Sequence, residues 1–164
     1  MCLYFFALLC AGCAVSSVRS ASDDYLEITR RNGWGVLVSE RLLKSINSDP
    51  DLPQICKDDA VATFSSSNVE RIYVEWLSRY FSPLEAAEFV AFLRTSAGAK
   101  FVTQDFGSAI LTDEETRIVN AFGRSSASVS FEKFAADQTL LRDHFKLKGK
   151  SAGRKCATML LEAE

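Results

Sequence analysis

Helix-start signals between residues 67 and 105 are the feature that most restricts how this chain can fold. Two of them follow the Ser-x-x-Glu capping-box pattern, in which the serine and glutamate side chains satisfy backbone amides at a helix start. The predicted starts are Ser67–Glu70, Ser82–Glu85 and a serine cap at Ser96, and a third capping box is predicted later in the chain at Thr112–Glu115. The segment therefore predicts three consecutive helices, each with its own local start signal.

Apolar residues recur at helical spacing behind these starts and through the rest of the chain. The helix after Ser82 is apolar over the widest arc, Leu84 to Leu93, so we expect it to be the central buried one. Further helices are predicted from Phe101 to Ile110 and, at the end, through Phe131 to Phe145. No segment shows the sustained alternation of a half-buried β-strand. We therefore predict an all-α fold, a compact bundle of about seven or eight short helices.

Two segments, residues 81–105 and 111–135, resemble each other at an offset of 30. Over residues 81–101 and 111–131, seven of 21 aligned positions are identical, where chance would give about 1–2. The identical pairs are Glu85/Glu115, Ala91/Ala121, Phe92/Phe122, Arg94/Arg124, Ser96/Ser126, Ala97/Ala127 and Phe101/Phe131. Each segment predicts a helix, a serine-capped bend and a second helix, so we predict two tandem αα-hairpin repeats. Phe92 and Phe122 are expected to anchor the core between them.

Length and charge set broad limits on the class of protein. The chain has 164 residues of uniform composition, which favours one domain. It carries 19 basic and 21 acidic residues, and this balance gives no overall field that would attract nucleic acid. We therefore expect a globular domain without a nucleic-acid partner.

An apolar run near the N-terminus predicts export. Cys2 to Val15 is uncharged and too short to span a bilayer comfortably, as in a signal peptide. Residues 1–21 are accordingly interpreted as a leader, and the protein as periplasmic or envelope-associated. The alternative is an ordinary N-terminal helix in a core. Leu9 to Cys13 also resembles a lipoprotein signal, in which Cys13 would be acylated and anchor the chain to a membrane.

The chain after the leader divides into a helical domain, residues 22–145, and a basic tail, residues 146–164. Between Lys146 and Lys155 there are five basic residues and no acid. Such a tail could make weak contact with an anionic membrane. The alternative is a solvated, partly disordered tail.

Two cysteines remain once the leader is set aside, Cys56 and Cys156. In an exported domain they allow a single intramolecular disulfide. Two unpaired thiols are the alternative, and the sequence does not choose between them.

Residues suited to catalysis or metal binding are scarce. The only histidine, His144, follows Asp143 directly, and adjacent residues on a helix point in different directions. No metal-ligand spacing or phosphate-binding glycine loop is present, so no catalytic residue, metal site or cofactor is predicted. Glu85 and Glu115 form a tempting carboxylate pair, but their capping positions already explain both.

The segment Tyr80–Phe101 resembles the bacterial family called domain of unknown function 2059. The matching positions are Ser82, Glu85, Ala91, Phe92, Ser96, Gly98, Lys100 and Phe101. Ala97 stands where the family usually has proline, and the second segment departs further, with Ser128 for the glycine and Ser130 for the lysine. The resemblance implies an exported, helical, proteobacterial envelope protein and brings no catalytic residues with it. The motif also has a structural explanation, since Ser96 would cap a helix and Gly98 would allow close helix approach.

Three functional hypotheses follow. A non-enzymatic interaction or structural module would engage an envelope protein or lipid through exposed grooves. An envelope hydrolase would need carboxylates, or His144 and a carboxylate, to converge in a cleft. A carrier of apolar ligands would enclose an apolar cavity. The lack of catalytic motifs favours the first hypothesis.

Overall fold

The computed structural model describes residues 20–103 and 110–162, and every regular element in these ranges is an α-helix. The helices are α1 (Ala21–Arg31), α2 (Trp34–Asn47), α3 (Gln54–Thr63), α4 (Ser66–Tyr80), α5 (Pro83–Leu93), α6 (Ser96–Thr103), α7 (Asp113–Phe122), α8 (Ser126–Ala136) and α9 (Gln138–Glu162). The predicted all-α fold is confirmed, and the nine helices of this described part slightly exceed the seven or eight expected.

The additional helix arises because the predicted last helix is divided in two. A break at Asp137 separates α8 from α9. The Asp137 carboxylate accepts a hydrogen bond from the Tyr80 hydroxyl at 2.9 Å, so the break is tied to the end of α4. Beyond the break, α9 runs without interruption to Glu162, and the basic segment that was expected as a tail is helical as far as that residue.

Helices α4 and α5 supply most of the core. α4 packs on α1, α2 and α8, while α5 packs on α1, α6 and α8. Helical spacing brings one stripe of each helix inward, which removes its large apolar side chains from water. The most completely buried of these are Val69, Leu77, Phe89 and Leu93. The prediction of a buried central helix is correct for most of α5, but Leu84 lies on its outer side and is 79% exposed.

The helix starts agree with the capping-box predictions at two of three positions. Ser82 forms the predicted box with Glu85, and Thr112 forms one with Glu115. The Ser67 box is wrong, because α4 begins earlier, with Ser65 at its cap. Ser96 is likewise not a cap. Thr95 takes that role, accepting a hydrogen bond from the Gly98 amide at 3.0 Å, and Ser96 is the first residue of α6.

The two predicted hairpin segments are interleaved. α7 packs mainly on α5 and α6 of the first segment rather than on α8, so the second segment is not a packed hairpin by itself. The predicted helix through Ile110 is only partly tested, since residues 104–109 lie outside the described ranges. Ile110 itself is not helical and is 90% exposed. Descent of the segments from one duplicated unit stays a prediction.

Candidate functional site

Glu85 connects the two hairpin segments at the start of α5. Its carboxylate accepts hydrogen bonds from the backbone amide of Ser82 at 2.8 Å and from the Ser82 hydroxyl at 2.7 Å. The Ser130 hydroxyl, on α8, donates to the same carboxylate at 3.0 Å. The Ser82 backbone and side-chain hydrogen bonds hold the pKa of Glu85 below its usual value. The carboxylate therefore stays ionised as part of the cap.

Glu115, at the start of α7, makes the corresponding contacts with its own cap and with the first segment. Its carboxylate accepts hydrogen bonds from the backbone amide of Thr112 at 2.8 Å and from the ammonium group of Lys100, on α6, at 2.7 Å. The Lys100 hydrogen bond, followed by those from Thr112 and Ser96, lowers the pKa of Glu115 to about 2. Only 6% of Glu115 is exposed.

The two glutamates are thus held by equivalent positions of the opposite segment. At the offset of 30 seen in the sequence, Lys100 corresponds to Ser130 and Glu85 to Glu115. Each capping glutamate is bonded by the residue of the other segment that occupies this shared position. Both carboxylates take part in helix capping and in joining the two segments, which accounts for their positions.

Phenylalanines fill the space between the segments. The rings of Phe92 and Phe122 stack with centroids 4.1 Å apart. The rings of Phe101 and Phe131 meet edge to face, with centroids 5.6 Å apart. Phe89 lies between these pairs, 5.3 Å from the Phe122 ring and 5.1 Å from that of Phe131. The motif phenylalanines Phe92 and Phe101 therefore have a packing role.

Gly98 sits where no side chain fits. A Cβ atom at this position would lie 2.1 Å from the Phe92 carbonyl oxygen and 2.6 Å from the Leu93 Cα. The bend between α5 and α6 therefore requires glycine, which is the close approach expected from the sequence. Ala91 of the motif is exposed, whereas Glu85, Phe92, Gly98, Lys100 and Phe101 make the hydrogen-bond and packing contacts described above.

A disulfide joins Cys56 on α3 to Cys156 on α9, so of the two alternatives the structure contains the bonded one. Its half-cystines are both buried. Next to it, Lys155 of α9 forms an ion pair with Asp59 of α3. The disulfide and the ion pair fix the far end of α9 against the body of the protein.

His144 packs against the aromatic side chain of Trp76. Its Nε2 atom is buried and has no hydrogen-bond partner in the described part of the chain, and its ring meets that of Trp76 at 6.0 Å. The described residues contain no group of three or more His, Cys, Asp and Glu side chains that could hold a metal ion.

An apolar groove lies between α2, α4 and the first two turns of α9. We call it the α2–α9 groove, and its volume is about 360 Å³. It is lined by Val38, Arg41, Leu42, Tyr73, Gln138, Leu141, Arg142 and Phe145. Tyr73, Leu141 and Phe145 are buried and form the floor, while Arg41 and Arg142 are exposed at the rim. Sequence reasoning missed this site. The sequence signal was Arg41 and Arg142, each at the edge of the apolar stripe of its helix. Arginine is common at such positions, so the signal does not distinguish a binding site.

Further cavities lie along the remaining length of α9, one of them on its outer face beside Leu147, Lys150 and Arg154. A polar one of about 620 Å³ contains the Asp59–Lys155 ion pair together with Arg71, Glu75 and Lys148. An apolar one of about 190 Å³ lies beside the disulfide.

The side of α9 that faces away from the body carries both apolar and basic residues. We call it the outer face of α9 and define it by Leu140, Leu147, Lys150 and Arg154. Leu140 is 54% exposed and Leu147 is 64% exposed. Lys150 and Arg154 are exposed and have no ion-pair partner in the described ranges. Asp143, on the same side, is already paired with Lys146 at 3.1 Å.

Other sequence predictions concern membranes and the leader. Within residues 20–103 and 110–162, no helix combines the length and apolar character needed to cross a bilayer. Residues 1–19 of the proposed leader, including the lipidation residue Cys13, lie outside the described residues, so the leader and its lipidation remain predictions. Its last two residues, Ser20 and Ala21, form the cap and the first position of α1.

Comparison with known proteins identifies no relative. No protein-family model matches the chain, and neither curated protein sequences nor solved structures gave a significant match.

Proposed function

We propose that this chain is a non-enzymatic interaction module of the bacterial cell envelope that contacts an anionic membrane surface. The observation that supports it is the outer face of α9, where Lys150 and Arg154 stand without acidic partners beside the exposed Leu147. The predicted export and the resemblance to an envelope family are consistent with this role, and both remain part of the proposal.

The covalent attachment of α9 makes this face a fixed surface. Because Cys156 is bonded to Cys56, the turns that carry Lys150 and Arg154 cannot detach from α3 while the disulfide is intact. A basic residue near an anionic lipid surface contributes about 1 kcal/mol. Two to five such residues on one helix give weak, salt-sensitive association, to which insertion of Leu147 would add apolar burial.

Vesicle co-sedimentation tests the proposal. The full chain is compared with a Lys150→Glu/Arg154→Glu variant and with a matched Lys44→Glu/Arg124→Glu control, which makes the same charge change away from α9. We expect binding to vesicles containing phosphatidylglycerol to fall markedly in the α9 variant and in high salt, and to be unchanged in the control. Equal binding by all three proteins would contradict the proposal.

An apolar-ligand carrier is the second candidate, because the α2–α9 groove offers an apolar floor of suitable size. The hydrolase alternative draws no support from Glu85 and Glu115, since both are bonded at helix starts. His144 does not support it either, because its buried Nε2 has no hydrogen-bond partner among the described residues and its ring packs against Trp76.

A further inference from the structure

The rim of the α2–α9 groove has a charge that nothing in the groove balances. Arg41 and Arg142 both line it, and among the described residues neither makes an ion pair or a side-chain hydrogen bond. No carboxylate of the described residues lines the groove. Several other arginines are satisfied within the fold, for example Arg94 by Glu27 at 2.8 Å. The groove therefore presents two guanidinium groups that are free to receive an anion.

Beneath these arginines the floor is apolar and held in place by ring stacking. Tyr73 packs between Trp34, with ring centroids 5.1 Å apart, and Phe145, at 6.1 Å. Leu141 completes the floor and is 2% exposed, and Val38 and Leu42 form one wall. Such a surface favours an alkyl chain, because covering it removes apolar area from water without displacing polar contacts.

The Tyr73 hydroxyl adds a polar group to this floor. Tyr73 lines the groove and is 5% exposed, and no hydrogen bond joins its hydroxyl to another described residue. A phenol is both a donor and an acceptor, so an anionic head group near Arg41 could also receive a hydrogen bond from it. The groove thus combines one apolar surface with convergent donors at one side.

We infer that the α2–α9 groove binds a single-chain carboxylate amphiphile, such as a medium-chain fatty acid. The alkyl chain lies on Leu141 and Phe145, and the carboxylate is held by Arg41 and Arg142. Arginine is suited to this role because its planar fork matches a carboxylate with two parallel hydrogen bonds. A volume of about 360 Å³ is at the small end for ligand pockets, which favours one short chain over a two-chain phospholipid.

This inference is independent of the membrane-contact proposal. The groove uses the side of α9 that faces α2 and α4, whereas vesicle contact uses the outer face with Lys150 and Arg154. Failure of either experiment leaves the other proposal intact.

Isothermal titration calorimetry with dodecanoate, below its micellar concentration, tests the inference on the full chain. Dodecyltrimethylammonium has the same chain with the opposite charge, and acetate has the carboxylate without the chain. The variants are Arg41→Gln and Arg142→Gln, each with a matched control that removes one exposed cation from the same helix. Lys44→Gln is the control on α2, and Lys148→Gln, which lies outside both the groove and the outer face, is the control on α9.

We expect dodecanoate to bind with one-to-one stoichiometry, and each arginine variant to bind about tenfold more weakly, as loss of one charge-assisted contact predicts. Both lysine controls should stay within about twofold of the unchanged protein. The inference is overturned if dodecanoate does not bind, if dodecyltrimethylammonium or acetate binds equally well, or if the lysine controls lose as much affinity as the arginine variants. Circular dichroism of each variant verifies that it is folded.

Discussion

The ring of Phe92 lies flat on the ring of Phe122, with centroids 4.1 Å apart and planes 7° from parallel. These residues occupy the same position in two segments that are 30 residues apart in the sequence. Phe101 and Phe131, another equivalent pair, also meet. Contacts between equivalent positions are those expected of two units related by approximate two-fold symmetry.

Phe92→Ala should reduce the free energy of unfolding by about 3–5 kcal/mol, because it removes a large buried ring and leaves a cavity. Leu84→Ala on the same helix is the control. Leu84 is 79% exposed, so its loss should change stability by less than about 0.5 kcal/mol. Urea unfolding followed by circular dichroism measures both, and similar values for the two variants would remove Phe92 from the core.

The Lys100–Glu115 contact makes stability depend on acid pH. The contact lowers the pKa of Glu115 from 4.5 to about 2 in the folded protein. The ionised carboxylate therefore adds its full contribution to the free energy of unfolding above pH 4.5, and this contribution is lost as the pH falls toward 2. In Lys100→Met, which lacks the main cause of this shift, the protein should be less stable at pH 7. Its unfolding free energy should converge with that of the unchanged protein as the pH approaches 2.

Urea midpoints at pH 7, 4 and 3 provide the measurement. Lys146→Met is the control, because the Lys146–Asp143 pair is exposed and such pairs contribute little. A constant difference between Lys100→Met and the unchanged protein at all three pH values would show that the lysine acts without the Glu115 charge.

Gly98→Ala and Gly153→Ala should change stability in opposite directions. At Gly98 the new Cβ would meet the backbone of Phe92 and Leu93 at 2.1 to 2.8 Å, so α5 and α6 would have to separate, at a cost above about 2 kcal/mol. At Gly153, within α9, a Cβ meets no atom within 4 Å. Alanine there should stabilise the helix by roughly 0.5–1 kcal/mol. Thermal melts of both variants measure this contrast. A Gly153→Ala protein that melts at a lower temperature than the unchanged protein would contradict the prediction for that position.

Removing the disulfide with Cys56→Ala and Cys156→Ala should destabilise the protein by about 4–5 kcal/mol. The bond closes a loop whose ends are 100 residues apart in sequence, and restriction of so long a loop in the unfolded chain is the main contribution. Denaturant unfolding of the double variant and of the oxidised protein gives the difference. Mass spectrometry after alkylation, with and without reductant, provides the check that the bond is formed, and two alkylated thiols without reductant would contradict it.

Local signals predicted helix starts well where a single residue could serve as the cap. Ser82 and Thr112 were identified from their glutamates three residues later, and both form the expected boxes. The prediction failed at Ser67, because three consecutive serines offer competing starts. Glu70, the expected partner in the box, instead pairs with Arg30 of α1 at 3.1 Å. That partner lies 40 residues earlier in the chain, and no local pattern contains such a contact.

The same limit explains the division between α8 and α9 and the groove that lies beside it. Asp137 interrupts an otherwise continuous helical pattern while bonded to Tyr80, 57 residues earlier. Arg41 and Arg142 reach one rim because α2 and α9 both line the groove that contains Tyr73. Periodicity identifies which side of a helix turns inward, but it does not indicate which helices become neighbours. The fold class was therefore predictable from the sequence, and the groove was not.

The exchange of partners between Glu85 and Glu115 has a consequence for how this chain can be divided. Each segment depends on the other for a hydrogen bond. The Ser130 hydroxyl of the second segment donates to Glu85, and the Lys100 ammonium group of the first segment donates to Glu115. A fragment cut between α6 and α7 would strip each half of a group that completes a helix start. The smallest unit worth expressing therefore includes both segments, and a lone segment would have to recruit a second copy of itself to recover what it lost.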